Sequence, residues 1–312
     1  MRKFILKTIT LTTLLGLLLF LFLNVSTVIV KKRAFQNYNC ESNTLFLNEN
    51  ESFDVLFLGI SHGREFSRHK NHLRVENVLN AKMINFSQGN ATCGTNEQLF
   101  YLDYFYFKKN KTQKIFYILS PSMLFSESLP KASNTFDQEV FDVSFLYRYT
   151  QFESENKGAR IMSYLQRKLH PFWLTKQPFS EEKMEIEINA LDQNKVEEGQ
   201  NMAFDGAVLK SQQFKKSVQS VEKTIQLAAK NRTEVVLIIP PALFGKWRGH
   251  QETFEFAKKM KHKYPNVDFF DGSETILDPQ FYYDSHHLNT KGIELFTESY
   301  LKQLMKRDKN SL

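Results

Sequence analysis

FDVLFLGISHG, residues 53 to 63, decides how the rest of the chain is read. Asp54–Gly59 is a short apolar run stopped by glycine, the pattern of a strand, and Ser61 follows at the start of a helix. Further along, Lys82–Phe86 (KMINF) reads as a second strand followed by SQGN. Lys114–Leu119 (KIFYIL) reads as a third, followed by SPS; Glu234–Ile239 (EVVLII) as a fourth, stopped by Pro240–Pro241; and Val267–Phe270 (VDFF) as a fifth. Helical patterns separate them. Asn96–Lys109 carries Leu99, Leu102, Phe105 and Tyr106 on one face. Gln212–Asn231 places Phe214, Val218, Val221, Ile225 and Ala228 at alternating spacings of four and three. Thr253–Tyr264 and Thr290–Lys306 complete the series.

Strands alternating with helices predict an α/β, three-layer sandwich around a parallel sheet of about five strands, flavodoxin-like in architecture. In such sheets a site forms at the carboxyl ends of the strands. GISHG, SQGN, SPS and DSHHLN (residues 284–289) all follow predicted strands, so four polar loops are expected on one edge. Residues 125–205 break the alternation. They are aromatic and charged, and read as a largely helical insertion over that edge within a domain spanning 53–312.

Before the domain lies TITLTTLLGLLLFLFLNVSTVIV, residues 8–30, uncharged and long enough for the ~20 residues a spanning helix needs. It lacks an A-x-A cleavage site, so residues 1–33 are expected to be an uncleaved membrane anchor and 34–52 a polar stalk. Basic residues flank the span on both sides, leaving the positive-inside rule nearly balanced. The bulk of the chain is placed outside the cytoplasm, as short N-terminal anchors commonly translocate the domain attached to them. The 312 residues carry a formal charge of +7, spread along the chain. No basic helix, zinc-ligand spacing or RNA-binding motif accompanies it, which argues against nucleic acid as a partner. Neither a metal nor an organic cofactor is indicated. Cys40 and Cys93 are the only cysteines, and pairing and separate thiols are both open.

A serine after a strand is most simply a helix cap. It becomes a nucleophile only with a base beside it. His287 is the candidate base, and Asp284, three residues earlier, can hold the other imidazole nitrogen from one tight loop. His286 is the alternative base if the loop register differs. His62 either contacts substrate or faces solvent, the second being the simpler reading. Asn289 and Gly292 are expected to shape the loop and the helix start. Phe172, Trp173 and Trp247 form either a sugar platform or packing, and Met123, Leu124 and Phe125 are expected to pack near the site mouth.

GISHG early, SQGN after the second strand and DSHHLN before the last helix resemble the SGNH (GDSL-type) hydrolase superfamily over most of residues 53–305. The anchored arrangement is most similar to its envelope branch, which includes the D-alanine transfer protein of teichoic acids and polysaccharide O-acetyltransferase-like proteins. The resemblance implies Ser61 as nucleophile, His287 as base and Asp284 as its orienting acid. It also implies an oxyanion hole from the backbone of Ser61 and Gly89. Two departures stand out: Gly-Ile-Ser replaces Gly-Asp-Ser, and the asparagine expected after the third strand is absent, with Ser120 in that region. Ser120 or Asn90 would have to substitute, since losing one oxyanion donor costs ~2.7–4 kcal/mol of transition-state stabilisation. His62 and His286 are expected at the substrate. The function implied is a serine esterase or O-acyltransferase of the bacterial envelope, acting on a glycan or acylated polymer, with an integral-membrane acyltransferase as a potential partner. The alternative is a noncatalytic SGNH-fold component that binds or assembles such polymers.

Overall fold

A computed structural model of the chain describes residues 1–37, 47–89, 92–170 and 184–306. The sheet has five parallel strands: β1 (Ser52–Leu58), β2 (Met83–Asn85), β3 (Lys111–Ile118), β4 (Glu234–Ile239) and β5 (Val267–Asp271). Their order is β2-β1-β3-β4-β5. Every pairing is parallel, with Phe57 opposite Phe116 and Tyr117 opposite Leu237. The expected α/β sandwich is therefore the observed one, and its switch point lies between β1 and β3.

The short apolar runs make strands because both of their faces are buried. Leu56, Leu58, Ile115, Tyr117, Val235 and Leu237 point to one side. They meet Phe100, Leu102 and Phe105 of α4 (Thr95–Phe107) and Val221, Ile225 and Ala228 of α9 (Ser211–Lys230). Val55, Phe57, Phe116, Ile118, Val236 and Ile238 point to the other. There they meet Val75 of α3 (Asn71–Leu79), Ile293 and Phe296 of α11 (Thr290–Phe296) and Leu304 of α12 (Lys302–Lys306). Period-two alternation within each strand thus supplies two cores from one sheet. The predicted final helix is interrupted: between α11 and α12 the residues Thr297–Leu301 form a π-type turn. The helix after β4 begins earlier than expected, as α10 (His250–Lys263).

The insertion begins at the end of the short α5 (Pro121–Phe125) and contains α6 (Val143–Gln151), α7 (Lys157–Lys168) and α8 (Gln193–Ala203). Rings of Phe100, Phe136, Phe145 and Tyr149 pack mostly edge to face, with centroids 4.7–5.5 Å apart. Arg160 is fully buried beside them. Its guanidinium donates to Glu97 Oε1 (2.8 Å) and Ser154 Oγ (2.6 Å), and its Nε to the Ala132 carbonyl (2.7 Å). A buried arginine with this many acceptors fastens the insertion to α4.

The N-terminal helix, α1, spans Arg2–Asn37 and is long and apolar enough to cross a membrane. Phe4 to Phe22 carry large exposed apolar side chains, whereas Leu23, Ser26 and Val30 are buried. That end rests on the insertion, where Thr27 Oγ1 donates to the Phe141 carbonyl at 3.0 Å and Ser26 Oγ to that of Lys168 at 3.4 Å. The stretch read as a stalk, 34–52, is helical to Asn37 and enters β1 at Ser52; residues 38–46, Cys40 among them, lie outside the described residues. Cys93 is buried.

Candidate active site

Ser61 begins α2 (Ser61–Arg64), immediately past β1. Two glycines make the turn. Gly59 has φ +148°, and a Cβ there would lie 2.9 Å from the Ile118 carbonyl oxygen of β3. A Cβ on Gly63 would lie 2.3 Å from Ser87 Oγ. Only glycine lets the turn after β1 close against its neighbours.

The partner loop follows β5 at long range. Asp284 accepts from the backbone N–H groups of His286 (2.9 Å) and His287 (2.8 Å), which folds 284–287 into a tight turn. The Leu243 N–H donates to the Ser285 carbonyl at 3.1 Å, tying this turn to the segment after β4. Asn289 caps α11, accepting from the Gly292 N–H at 2.9 Å. At Gly292 a Cβ would meet the Phe281 carbonyl, so both residues shape the loop as expected.

These two loops meet. His287 Nε2 lies 2.9 Å from Ser61 Oγ, and His287 Nδ1 lies 2.7 Å from Asp284 Oδ2. With the proton on Nδ1 bonded to the carboxylate, the Nε2 lone pair faces the serine hydroxyl. Burial alone would raise the Asp284 pKa. The charge and hydrogen bond of His287, then His286, override it and hold the carboxyl well below its usual range. Burial opposes charge on His287, but Glu65 and Asp284 outweigh it and lift its pKa above 6.5.

His62 is buried, so the solvent-facing reading is corrected. The side chain turns inward because its Nδ1 pairs with Ser120 Oγ at 2.8 Å, at the end of β3. Its pKa falls well below 6.5, from burial first and then the nearby His287 and His286. His287, not His286, pairs with Ser61; the Nδ1 of His286 pairs with Ser285 Oγ at 3.0 Å. Its pKa is lowered to about 3 for the same reasons, burial and His287. Ser120 is at the edge where a donor was sought, with its hydroxyl engaged by His62. Gly89 lies nearby, packed by Arg64 and Arg68. Asn90, Phe172 and Trp173 lie outside the described residues. Trp247 is buried, its ring edge-on to His62 and His286 with centroids 5.6 and 5.0 Å apart, which is packing at the wall of the site. Met123, Leu124 and Phe125, on α5, are buried as expected.

Two neighbours of His287 escaped the sequence reading. Glu65 is buried, with Oε1 3.7 Å from His287 Nε2 and accepting from Tyr283 Oη at 3.0 Å. Burial pushes its pKa up to about 8. The Tyr283 ring lies parallel to His287, at 7° and 5.4 Å. The signal for Glu65 was its spacing: four residues past Ser61, a residue returns to the same side of a helical turn. The signal for Tyr283 was adjacency to Asp284.

No protein-family model and no curated protein matches the chain. Among solved structures it is similar to a Bacteroides fragilis protein provisionally assigned as an acylhydrolase. The identity is 12%, the coverage 81% of this chain and 86% of that one, and the TM-score 0.39. A likeness of that order carries no argument about function, and the site stands on its own geometry.

Proposed function

We propose that the chain is a membrane-anchored serine esterase or O-acyltransferase working through an acyl-serine intermediate. The observation that carries this reading is the hydrogen-bonded series Ser61–His287–Asp284, assembled from residues 226 apart in the chain. As Ser61 Oγ attacks an ester carbonyl, its proton passes to His287 Nε2, and Asp284 stabilises the resulting imidazolium. The negative charge formed on the carbonyl oxygen is taken by the backbone N–H groups of Ser61 and Gly89. His287 then returns the proton to the departing alkoxide, leaving the acyl group on Ser61. Water or a sugar hydroxyl, deprotonated by the same imidazole, completes hydrolysis or transfer.

The long apolar helix α1 favours a substrate held near a bilayer, such as a lipid-linked glycan or acylated polymer on the outer side of a bacterial membrane. An integral-membrane acyltransferase is the partner that would load it. One observation favours the alternative, a noncatalytic binding or assembly component: the Ser120 hydroxyl, in the place of the missing donor, is turned to His62 Nδ1 at 2.8 Å. The full chain in detergent, given a short-chain nitrophenyl ester, separates the two. Nitrophenol release that is lost in Ser61→Ala supports the enzyme. Release that rises with added glycan, together with acylated glycan in the products, selects transfer over hydrolysis. A well-folded wild type that releases nothing supports the binding component.

A further inference from the structure

Three imidazoles crowd the mouth of the site. The ring centroids of His286 and His287 are 4.0 Å apart, those of His62 and His287 4.9 Å, and those of His62 and His286 5.5 Å. One ring nitrogen from each lies within 4.8 Å of the others. A single catalytic base needs no such company.

The partners of the outer nitrogens are more telling. His287 Nδ1 is held by Asp284 Oδ2 at 2.7 Å, His62 Nδ1 by Ser120 Oγ at 2.8 Å, and His286 Nδ1 by Ser285 Oγ at 3.0 Å. In each ring the oxygen can accept the Nδ1 proton, which leaves the lone pair on Nε2. That is how a metal-binding histidine is ordinarily prepared: the nitrogen away from the metal donates, fixing the tautomer and the ring plane. His62 Nε2 is buried and has no hydrogen-bond partner among the described residues.

We propose that the Nε2 atoms of His62, His286 and His287 bind a divalent transition ion, zinc foremost, and that the bound ion switches off the serine chemistry. Three imidazoles suit zinc and its neighbours in the first transition row. Tetrahedral zinc with Zn–N of ~2.0–2.1 Å needs nitrogens roughly 3.3 Å apart. From 4.8 Å or less, each ring reaches that spacing by moving under about an ångström. The fourth position falls beside Ser61 Oγ, for water or the hydroxyl itself. Inhibition follows from the electrons: the Nε2 lone pair that would accept the Ser61 proton is the one donated to the metal. The inhibitory half rests on the serine reading above, whereas the coordination half does not.

The test uses the full chain in detergent, stripped with chelator and titrated with cobalt(II) and then zinc(II). The ligand-field absorption of four-coordinate cobalt should appear, saturate at one equivalent per chain and be displaced by zinc. His62→Gln and His286→Ala, each checked for native circular dichroism, should weaken cobalt binding at least tenfold. Absence of the band, or binding undiminished in both variants, overturns the site. In the second arm, a fluorophosphonate labels the serine with and without saturating zinc. Zinc should slow wild-type labelling at least tenfold, reversibly on adding chelator, and should change the rate of His286→Ala little. Cobalt binding with labelling unaffected by zinc overturns the inhibitory half alone. No labelling of the metal-free wild type overturns that half together with the serine reading, while the spectrum still decides the site.

Discussion

A buried histidine, His62, and a half-buried one, His287, flank Ser61, and they are opposites. His287 and His62 each engage an oxygen through Nδ1, at 2.7 and 2.8 Å. At His287 the oxygen belongs to a carboxylate, and Glu65 lies 3.7 Å from its other nitrogen. At His62 it belongs to the hydroxyl of Ser120. The pKa of the first imidazole is raised and that of the second is driven well down. Burial disfavours the cation in both, so the neighbouring carboxylates make the difference. One residue type therefore becomes a ring whose cation is favoured at one end of the site and a ring whose cation is disfavoured at the other. The position of a histidine matters less than the formal charge of what it touches.

Breaking the working end should have the largest effect. Ser61→Ala or His287→Ala should lower ester hydrolysis by ~10⁴-fold or more, as for other nucleophile–base pairs. A variant that keeps a tenth of the wild-type rate would remove the distinction between the ends. Asp284→Asn keeps the shape and removes the charge, and should cost about 10³–10⁴-fold in kcat. Its counterpart, Ser120→Ala, removes one neutral hydrogen bond of about 0.5–1.5 kcal/mol and should cost roughly tenfold or less. Equal losses in Asp284→Asn and Ser120→Ala would contradict the comparison directly.

Smaller effects sharpen it. The raised pKa of His287 means that activity should fall as pH drops through a limb lying above 6.5. Asp284→Asn also withdraws an attracting carboxylate, so that limb should move to lower pH. Glu65→Gln tests the burial of Glu65. In the folded chain this carboxyl keeps its proton to about pH 8, against 4.5 when unfolded. The folded state thus binds the extra proton between those values, and stability falls as pH rises through that window. Glu65→Gln abolishes the penalty. Its Tm should match wild type below pH 4.5 and exceed it at pH 8, with each kcal/mol worth roughly 2–4 °C. An unchanged Tm difference across that range would mean that Glu65 ionises like an exposed carboxyl.

Much of the frame was legible because buried parallel strands advertise themselves. EVVLII and KIFYIL admit few other readings, and glycine or proline marks where they stop. The meeting of GISHG with DSHHLN was legible because the carboxyl edge of a parallel sheet gathers the loops that follow its strands. What stayed hidden depends on packing between elements that no local pattern records. No local pattern marks Arg160, yet it is the anchor of the insertion on Glu97. His62 reads as solvent-facing until Ser120, 58 residues away, is placed beside it. The apolar run of α1 reads as a membrane span throughout, while burial of Leu23, Ser26 and Val30 depends on residues near 141 and 168. Glu65 and Tyr283 sit beside recognisable residues, but their partnership links positions 218 apart.

The most direct test of the central claim is a covalent one: whether the hydroxyl of residue 61 is nucleophilic because of residue 287. The full chain would be incubated with a fluorophosphonate at neutral pH, digested, and the adduct located by mass spectrometry. The account predicts a single adduct on the peptide containing Ser61, formed in wild type and lost in His287→Ala at equal exposure time. A folded wild type without the adduct, or an adduct that forms as fast in His287→Ala, would contradict it.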